Sequence, residues 1–201
     1  LRAIKEAGCD IEVNSGGELW KALHKSQFTG DQIIFNGTSK EEWELRMAVE
    51  NEIYAIQVDS MYELWLIEGV AAWVGKKANV SLRLVPEISS NTHSGLQTAL
   101  LTSKFGMMPD EAYEAFRQYG SSEHLNLCGI HLHIGSQNPE ESPYTEAFVG
   151  MFESLLRVYR ETGIRLQHIN LGGGFPVNYL RDRSHADEFQ PEQFELFTAD
   201  F

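Results

Sequence analysis

Cysteine is scarce in this sequence, and long apolar runs are absent from it. Cys9 and Cys128 are the two cysteines among 201 residues. Two cysteines form no disulfide framework, and these two lack the spacing of a zinc knuckle. No stretch approaches the roughly 18 apolar residues that a membrane-spanning helix needs. We therefore expect a reducing, cytoplasmic environment and no membrane partner.

Basic residues are also scarce. The chain has 16 Lys and Arg against 29 Asp and Glu, which gives a formal net charge of −13. A protein that binds a nucleic-acid backbone needs clustered Lys and Arg, so we expect no nucleic-acid partner. Proline is limited to 6 residues while 42% of the chain is hydrophobic. That composition is typical of a globular protein.

Three segments of the chain repeat one local pattern, in which a β-type run is followed by Ser-x-x-Glu and an amphipathic stretch. The runs cover residues 11–14, 33–37 and 55–59, and the boxes begin at Ser15, Ser39 and Ser60. In such a box the hydroxyl accepts an N–H of the first helical turn, and the Glu accepts the N–H of the serine itself. We expect a helix after each box.

The alternation of strands and helices continues along the chain. Residues 80–85, 128–134 and 169–171 are predicted strands, and residues 109–119 and 148–159 are predicted helices. Alternating strands and helices indicate an α/β fold with a parallel sheet. Such a sheet is either open and doubly wound or closed as a barrel.

Two histidines share one face of the strand at 128–134. The period of two places Ile130, Leu132 and Ile134 on one face, and His131 and His133 on the other. Buried imidazoles are costly unless they have partners. The pair is therefore either part of a site or a pair of hydrogen-bonded core histidines without chemistry.

Arg83 is the second polar side chain that the strand period turns inward. It lies on the same face as Ser81 and opposite Leu82 and Leu84. An inward arginine needs an anion or a carboxylate. The alternatives are a bound anion and an internal ion pair with Glu12.

Glycines follow two of the predicted strands. Gly135-Ser136-Gln137 comes after the histidine strand, and Gly172-Gly173-Gly174-Phe175 comes after the last strand. Glycine lets the backbone approach a ligand and aim N–H groups at an anion. Neither segment matches a Walker loop or a dinucleotide fingerprint. In βα barrels a phosphate site often follows the late strands, at the face that carries the active site.

Six motifs, taken in order, resemble the fold-type III pyridoxal-phosphate decarboxylases, the group of diaminopimelate, ornithine and arginine decarboxylases. The motifs lie at residues 12–19, 58–60, 82–84, 103–106, 129–137 and 171–175. The H-x-H-I-G-S-Q run at 131–137 is most similar to the diaminopimelate branch of the group.

The resemblance implies an N-terminal (β/α)8 TIM barrel of the alanine racemase-like type, followed by a C-terminal β domain, in a homodimer. The implied cofactor is pyridoxal 5′-phosphate, and no metal is implied. The implied reaction is decarboxylation of an amino acid, with meso-diaminopimelate converted to lysine. Within such a barrel the cofactor accepts the electrons left behind when carbon dioxide departs.

The resemblance also assigns the cofactor contacts by position. His133 would stack on the pyridine ring. The phosphate would be held by Ser136, Gly172, Gly173 and Gly174.

Further positions carry less direct roles. Arg83 and Glu12 would be polar catalytic-site residues that line the barrel, and His131 would join them with a less defined role. Lys104, in the Ser-Lys-Phe-Gly motif, would belong to a loop near the dimer interface.

The sequence departs from the family pattern where the cofactor lysine should lie. The Tyr-Ala-x-Lys-Ala-Asn type of motif on the first barrel strand, the Glu-Pro-Gly-Arg type of segment and the C-terminal β domain are missing from the 201 residues. We therefore expect residues 1–201 to be a partial barrel domain that lacks the first strand and the last barrel segment. We expect this chain, by itself, not to be a competent decarboxylase.

Two other functions remain open from the residues alone. A His-x-His pair on a strand can supply two zinc ligands, so a metal-dependent hydrolase on a βα barrel is one alternative. A non-catalytic relative that binds phosphate is the other, because glycine-rich strand ends do not by themselves imply catalysis.

Overall fold

The computed structural model describes residues 1–85, 105–136 and 141–174, which form a parallel sheet flanked by helices. The strands are β1 (Ile11–Val13), β2 (Ile33–Phe35), β3 (Ala55–Val58), β4 (Ala78–Leu84), β5 (Leu125–Leu132) and β6 (His168–Asn170). The helices are α1 (Arg2–Glu6), α2 (Gly16–Lys25), α3 (Glu42–Glu50), α4 (Met61–Val74), α5 (Pro109–Tyr119) and α6 (Ser142–Thr162), and a 3-10 helix covers Gly30–Gln32.

The order of the strands distinguishes between the two architectures that the sequence left open. In a doubly wound sheet the strand order reverses at a switch point, whereas a βα barrel adds each strand next to its predecessor. Here the six strands pair in the order β1-β2-β3-β4-β5-β6, and each pairing is parallel. The order is that of a barrel wall.

The sheet is also strongly curled. In a flat sheet, five strand spacings of about 4.8 Å would separate β1 from β6 by about 24 Å. Instead, Asn170 Nδ2 on β6 donates to Glu12 Oε2 on β1 at 3.0 Å. The ring of His168 on β6 lies 5.1 Å from the ring of Tyr54, which precedes β3. The prediction of an α/β, incomplete TIM barrel is therefore confirmed.

Two of the predicted capping boxes begin helices, with one difference in detail. Ser15 Oγ accepts the Glu18 N–H at 3.3 Å at the start of α2, and Ser60 Oγ accepts the Glu63 N–H at 3.2 Å at the start of α4. The sequence predicted that each glutamate accepts the N–H of the capping serine. Each glutamate instead accepts the N–H of the residue before the serine. Glu18 accepts from Asn14 at 2.7 Å. Each box therefore also binds the residue that follows its strand, Asn14 after β1 and Asp59 after β3.

The third predicted box is wrong. Ser39 has a φ of +55°, whereas an N-cap residue is extended. The helix α3 begins two residues later than the box, with Glu41 as its cap and the Glu41 N–H donating to Glu44 Oε2 at 2.8 Å. The chain uses the intervening turn to bury Lys40, whose side chain is 1% exposed.

The main core lies between the outer face of the sheet and the helices. Ile130 and Leu132 are each 1% exposed, which confirms their predicted place on the apolar face. The fully buried members of this cluster with large side chains include Leu19, Phe35, Leu45, Ile56, Leu64, Ile67, Leu82 and Phe116. Burial of one such side chain contributes about 1.5–3 kcal/mol. The helices are thereby held on one side, which leaves the polar side chains on the inner face.

The helix α6 is longer than the predicted 148–159. It has 21 residues, starts with proline in its first turn, and ends at Gly163 with a φ of +73°. Its buried positions recur at helical spacing along one side, so it packs as an amphipathic helix. No helix in the described part of the chain is long and apolar enough to span a membrane.

Candidate functional site

A cavity of about 530 Å³ opens on the inner face of the sheet, at the carboxyl ends of the strands. This volume lies within the range of about 300–1,000 Å³ that small-molecule sites occupy. The cavity is lined by Glu12, Asn14, Asn36, Gly37, Arg83, His131, His133, Gly172 and Gly173. Six predicted site residues are therefore brought together, although they come from four different strands and the segments that follow them.

Three other predicted site residues do not line this cavity. Gly174 packs directly against the Gly135 carbonyl, and Ser136, the residue after Gly135, is exposed. Lys104 lies outside the described residues, so its predicted place near a dimer interface stays a prediction. Gln137 and Phe175, which belong to two of the motifs, also lie outside the described residues.

Arg83 pairs with a carboxylate, but not with the one that the sequence suggested. Its guanidinium Nη1 lies 3.5 Å from Asp59 Oδ1, and its side chain is 13% exposed. The register explains this choice, because β4 lies beside β3, whose carboxyl end leads directly into Asp59. Glu12 is three strands away on β1. The internal ion pair of Arg83 is therefore with Asp59 and not with Glu12.

Glu12 is held by two asparagine amides instead. Asn36 Nδ2 donates to its Oε1 at 3.0 Å, and Asn170 Nδ2 donates to its Oε2 at 3.0 Å. These donors belong to opposite sides of the cavity, since Asn36 follows β2 and Asn170 ends β6. The carboxylate thus bridges the cavity and presents a negative charge to it.

Both histidines of the predicted pair face the cavity, as the strand period indicated. His131 is 1% exposed. Burial, with the nearby Arg83 charge adding to it, lowers the pKa of His131 to about 3. The pKa of His133 is lowered by burial and by Arg83, with Glu12 opposing. Both rings are therefore neutral at pH 7.

The tautomer of His133 is set by its surroundings. The Gly173 N–H donates to His133 Nδ1 at 3.4 Å. The remaining proton of the neutral ring then sits on Nε2. His133 is held at the rim, with one edge against the glycine segment and one face open to the cavity.

The glycine segment after β6 needs glycine for two reasons. Gly172 and Gly174 have φ angles of +70° and +97°, which strain any residue with a side chain. A Cβ at Gly172 would overlap the Leu132 carbonyl, and one at Gly174 would overlap the Gly135 carbonyl. Gly172 and Gly174 therefore bring the main chain after β6 against the main chain after β5, and they form a main-chain wall beside the His133 side chain.

Sequence reasoning missed several functional residues. Asn14, Asn36 and Gly37 line the cavity, Asn170 holds Glu12, and Asp59 holds Arg83. The available signal was their shared place at strand ends, because the carboxyl ends of parallel strands meet at one edge. Asp59 belonged to a quoted motif but received no role.

The cavity does not have the ligand set of a metal centre in the part of the chain that the structure covers. Among residues 1–85, 105–136 and 141–174 no group of three or more His, Cys, Asp and Glu side chains could hold a metal ion. Glu12 is a charged neighbour of His133, and the Arg83 guanidinium is a charged neighbour of both His131 and His133. A cation would have to compete with that guanidinium.

Fold and cavity together define a class of protein, the βα-barrel proteins with a polar cavity beside glycine-rich strand ends. The comparison with known proteins makes this class specific. The model of the family "pyridoxal-dependent decarboxylase, pyridoxal binding domain" matches residues 1–195. The chain belongs to this family.

Individual relatives agree with the family model. The chain is similar to diaminopimelate decarboxylase of Methanocaldococcus jannaschii, with 36% identity over 90% of this chain and 42% of the relative. It is 35% identical to diaminopimelate decarboxylase of Bacillus subtilis over 94% of this chain and 44% of the relative. The chain thus spans less than half the length of these relatives.

A solved structure shows the same fold. The crystal structure of the M. jannaschii diaminopimelate decarboxylase in complex with L-lysine matches with a TM-score of 0.84 and 35% identity. The match covers 93% of this chain and 43% of that chain. The curled sheet described above is therefore the wall of the same kind of barrel.

Proposed function

We propose that this chain forms the cofactor-binding part of a pyridoxal 5′-phosphate-dependent amino-acid decarboxylase, and that its substrate is meso-diaminopimelate, which it converts to lysine. The observation that carries this proposal is the cavity in which His133, Arg83 and the glycine segment meet at the carboxyl ends of the strands. The similarity to diaminopimelate decarboxylases supports the choice of substrate.

The residues of the cavity fit the chemistry of the cofactor. Gly172 and Gly173 bring main chain to the edge of the cavity, and glycine there lets the backbone come close to an anionic group such as a phosphate. Ser136, exposed beside this wall, adds a hydroxyl donor. The neutral ring of His133 offers a flat face on which a pyridine ring can stack.

When bound, pyridoxal phosphate supplies an electron sink for the carbon that loses carbon dioxide. The residues of this chain bind and orient. His133 keeps its ring plane through the Gly173 N–H. Arg83, balanced by Asp59, places positive charge beside the cavity. Glu12 presents to the cavity a side chain that is oriented by two asparagine amides.

We further propose the arrangement of the whole enzyme. Residues 1–201 supply part of a barrel domain, and the cofactor lysine and a C-terminal β domain belong to other parts of the same polypeptide. The enzyme works as a cytoplasmic homodimer, with Lys104 near the interface. The length of the relatives, of which this chain covers 42–44%, supports such an arrangement.

The test is a titration of the full-length gene product with pyridoxal phosphate, followed by absorbance. We expect an adduct that borohydride reduces onto a lysine outside residues 1–201. His133→Ala should weaken the affinity about tenfold or more, since it removes a stacking partner. His124→Ala, just before β5 at the opposite edge of the sheet, is the matched control and should leave affinity unchanged. An adduct on a lysine within residues 1–201, or no adduct at all, would contradict the proposal.

A further inference from the structure

A buried ion pair lies behind the cavity, and the site described above does not use it. The side chains of Lys40 and Glu63 are 1% and 7% exposed, and Lys40 Nζ lies 3.0 Å from Glu63 Oε1. The ammonium also donates to the carbonyl oxygens of Gly37 and Gln57, each at 2.6 Å. All three of its donors are therefore used.

Glu63 is satisfied in a corresponding way. Its Oε1 accepts from Lys40, and its Oε2 accepts the Asp59 N–H at 2.8 Å. It lies in the first turn of α4, where the helix dipole favours a negative charge. The carboxylate thus joins Lys40 to the backbone of Asp59.

These contacts connect two walls of the cavity. Gly37, to which Lys40 donates, lines the cavity together with Asn14 and Asn36. Asp59, whose N–H is held by Glu63, carries the carboxylate that pairs with Arg83. Lys40 and Glu63 are absent from the residues that line the cavity, and their hydrogen bonds reach it through Gly37 and Asp59.

Stability alone is a poor reason for such a pair. Removing two charges from water costs as much as their attraction returns, and replacing a buried pair by apolar residues is often neutral or stabilising. Burial does lower the pKa of Lys40, with Glu63 opposing. An exposed pair at the other end of the barrel, Lys76 with Glu52 at 2.9 Å, uses the same residue types without this cost.

We propose that the Lys40–Glu63 pair is a positioning element, which holds the Gly37 wall and the Asp59–Arg83 pair in register for cofactor binding. Neither residue touches the cofactor. The inference rests on the proposed function, because it takes the cavity to be the pyridoxal phosphate site.

The experiment compares two double variants of the full-length gene product. The first replaces the buried pair (Lys40→Met and Glu63→Met), and the second replaces the exposed pair (Lys76→Met and Glu52→Met). For the buried pair we expect a melting temperature within about 5 °C of wild type, because no lone charge is left behind. Its Kd for pyridoxal phosphate should rise about tenfold, as when a charge-assisted hydrogen bond is misplaced. The Kd of the exposed double variant should equal that of wild type.

A milder variant keeps the test informative if the buried double variant does not fold. Glu63→Gln retains the shape and an acceptor but loses the charge, and it should raise the Kd about threefold. A cycle with Asp59→Asn tests the route. The loss of binding free energy in the double variant should be smaller than the sum of the losses in the two single variants, because both substitutions act on Arg83.

The outcomes separate the two proposals. A wild-type protein that binds no pyridoxal phosphate overturns the proposed function and this inference with it. Wild-type binding with an unchanged Kd in both Lys40–Glu63 variants overturns the inference alone. So does a buried double variant that melts far lower yet binds normally when folded, because the pair would then act on stability only.

Discussion

The two ends of the sheet carry the same kinds of residues in different surroundings. At the carboxyl end, Lys40 and Glu63 form a buried pair at 3.0 Å. At the amino end, Lys76 and Glu52 form a pair of similar length, 2.9 Å, whose side chains are 37% and 70% exposed. The residue types and the Nζ–Oε distances match, so the two pairs differ in burial and in the main-chain groups that they hold. The Lys–Glu pair that is shielded from water is therefore the one at the end of the sheet that carries the cavity.

The largest difference is expected when one partner of each pair is removed. Lys40→Met leaves the Glu63 carboxylate buried and unpaired, which costs about 3–5 kcal/mol of unfolding free energy. Lys76→Met leaves Glu52 in water and should cost about 0.5 kcal/mol or less. Urea unfolding of both single variants measures this directly. Equal losses would remove the distinction between the two ends.

An intermediate effect is expected from the glycine wall at the carboxyl end. Gly174→Ala places a Cβ on a residue with φ of +97°, against the Gly135 carbonyl. Strain of this kind costs about 1–3 kcal/mol, so the affinity for pyridoxal phosphate should fall by about 10-fold to 100-fold. Gly17→Ala is the control, since a Cβ there meets no atom within 4 Å. Unchanged affinity in Gly174→Ala would show that this wall does not shape the site.

A smaller effect per pH unit is expected from His131. Its folded pKa of about 3 lies below its ordinary value of 6.5. The unfolded chain therefore takes up a proton below pH 6.5 that the folded chain refuses, and stability is lost as the pH falls from 6.5 toward 3. The loss approaches about 1.4 kcal/mol per pH unit for this residue.

Unfolding in urea at pH 7, 6 and 5 measures that slope. His131→Asn should make the slope shallower, although His133 and His168, whose pKa values are also lowered by burial, retain part of it. If the His131→Asn variant shows the same slope of unfolding free energy against pH as wild type, the fold does not keep this imidazole neutral.

Periodicity and local motifs predicted the larger part of the fold. The period of two placed Ile130 and Leu132 in the core and both histidines in the cavity, because alternation is a local property of a strand. The boxes at Ser15 and Ser60 were found since hydroxyl and N–H lie three residues apart. The helix at Pro109–Tyr119 has the predicted bounds.

The remaining features depend on contacts between distant segments. Ser39 could not be rejected as a cap without knowing that Lys40 is drawn to Glu63, 23 residues further on. The partner of Arg83 depends on which strand lies beside β4. The bridge from Glu12 to Asn170 spans 158 residues and exists because the sheet curls. Sequence patterns placed the polar residues at strand ends but could not pair them.

The most direct test of the central claim is carbon dioxide release by the full-length gene product supplied with pyridoxal phosphate and meso-diaminopimelate. The account predicts release of carbon dioxide with formation of an equal amount of lysine, and little release from ornithine or arginine. Faster release from ornithine or arginine would correct the substrate and retain the cavity as a decarboxylase site. Bound cofactor without carbon dioxide release from any of the three amino acids would contradict the central claim.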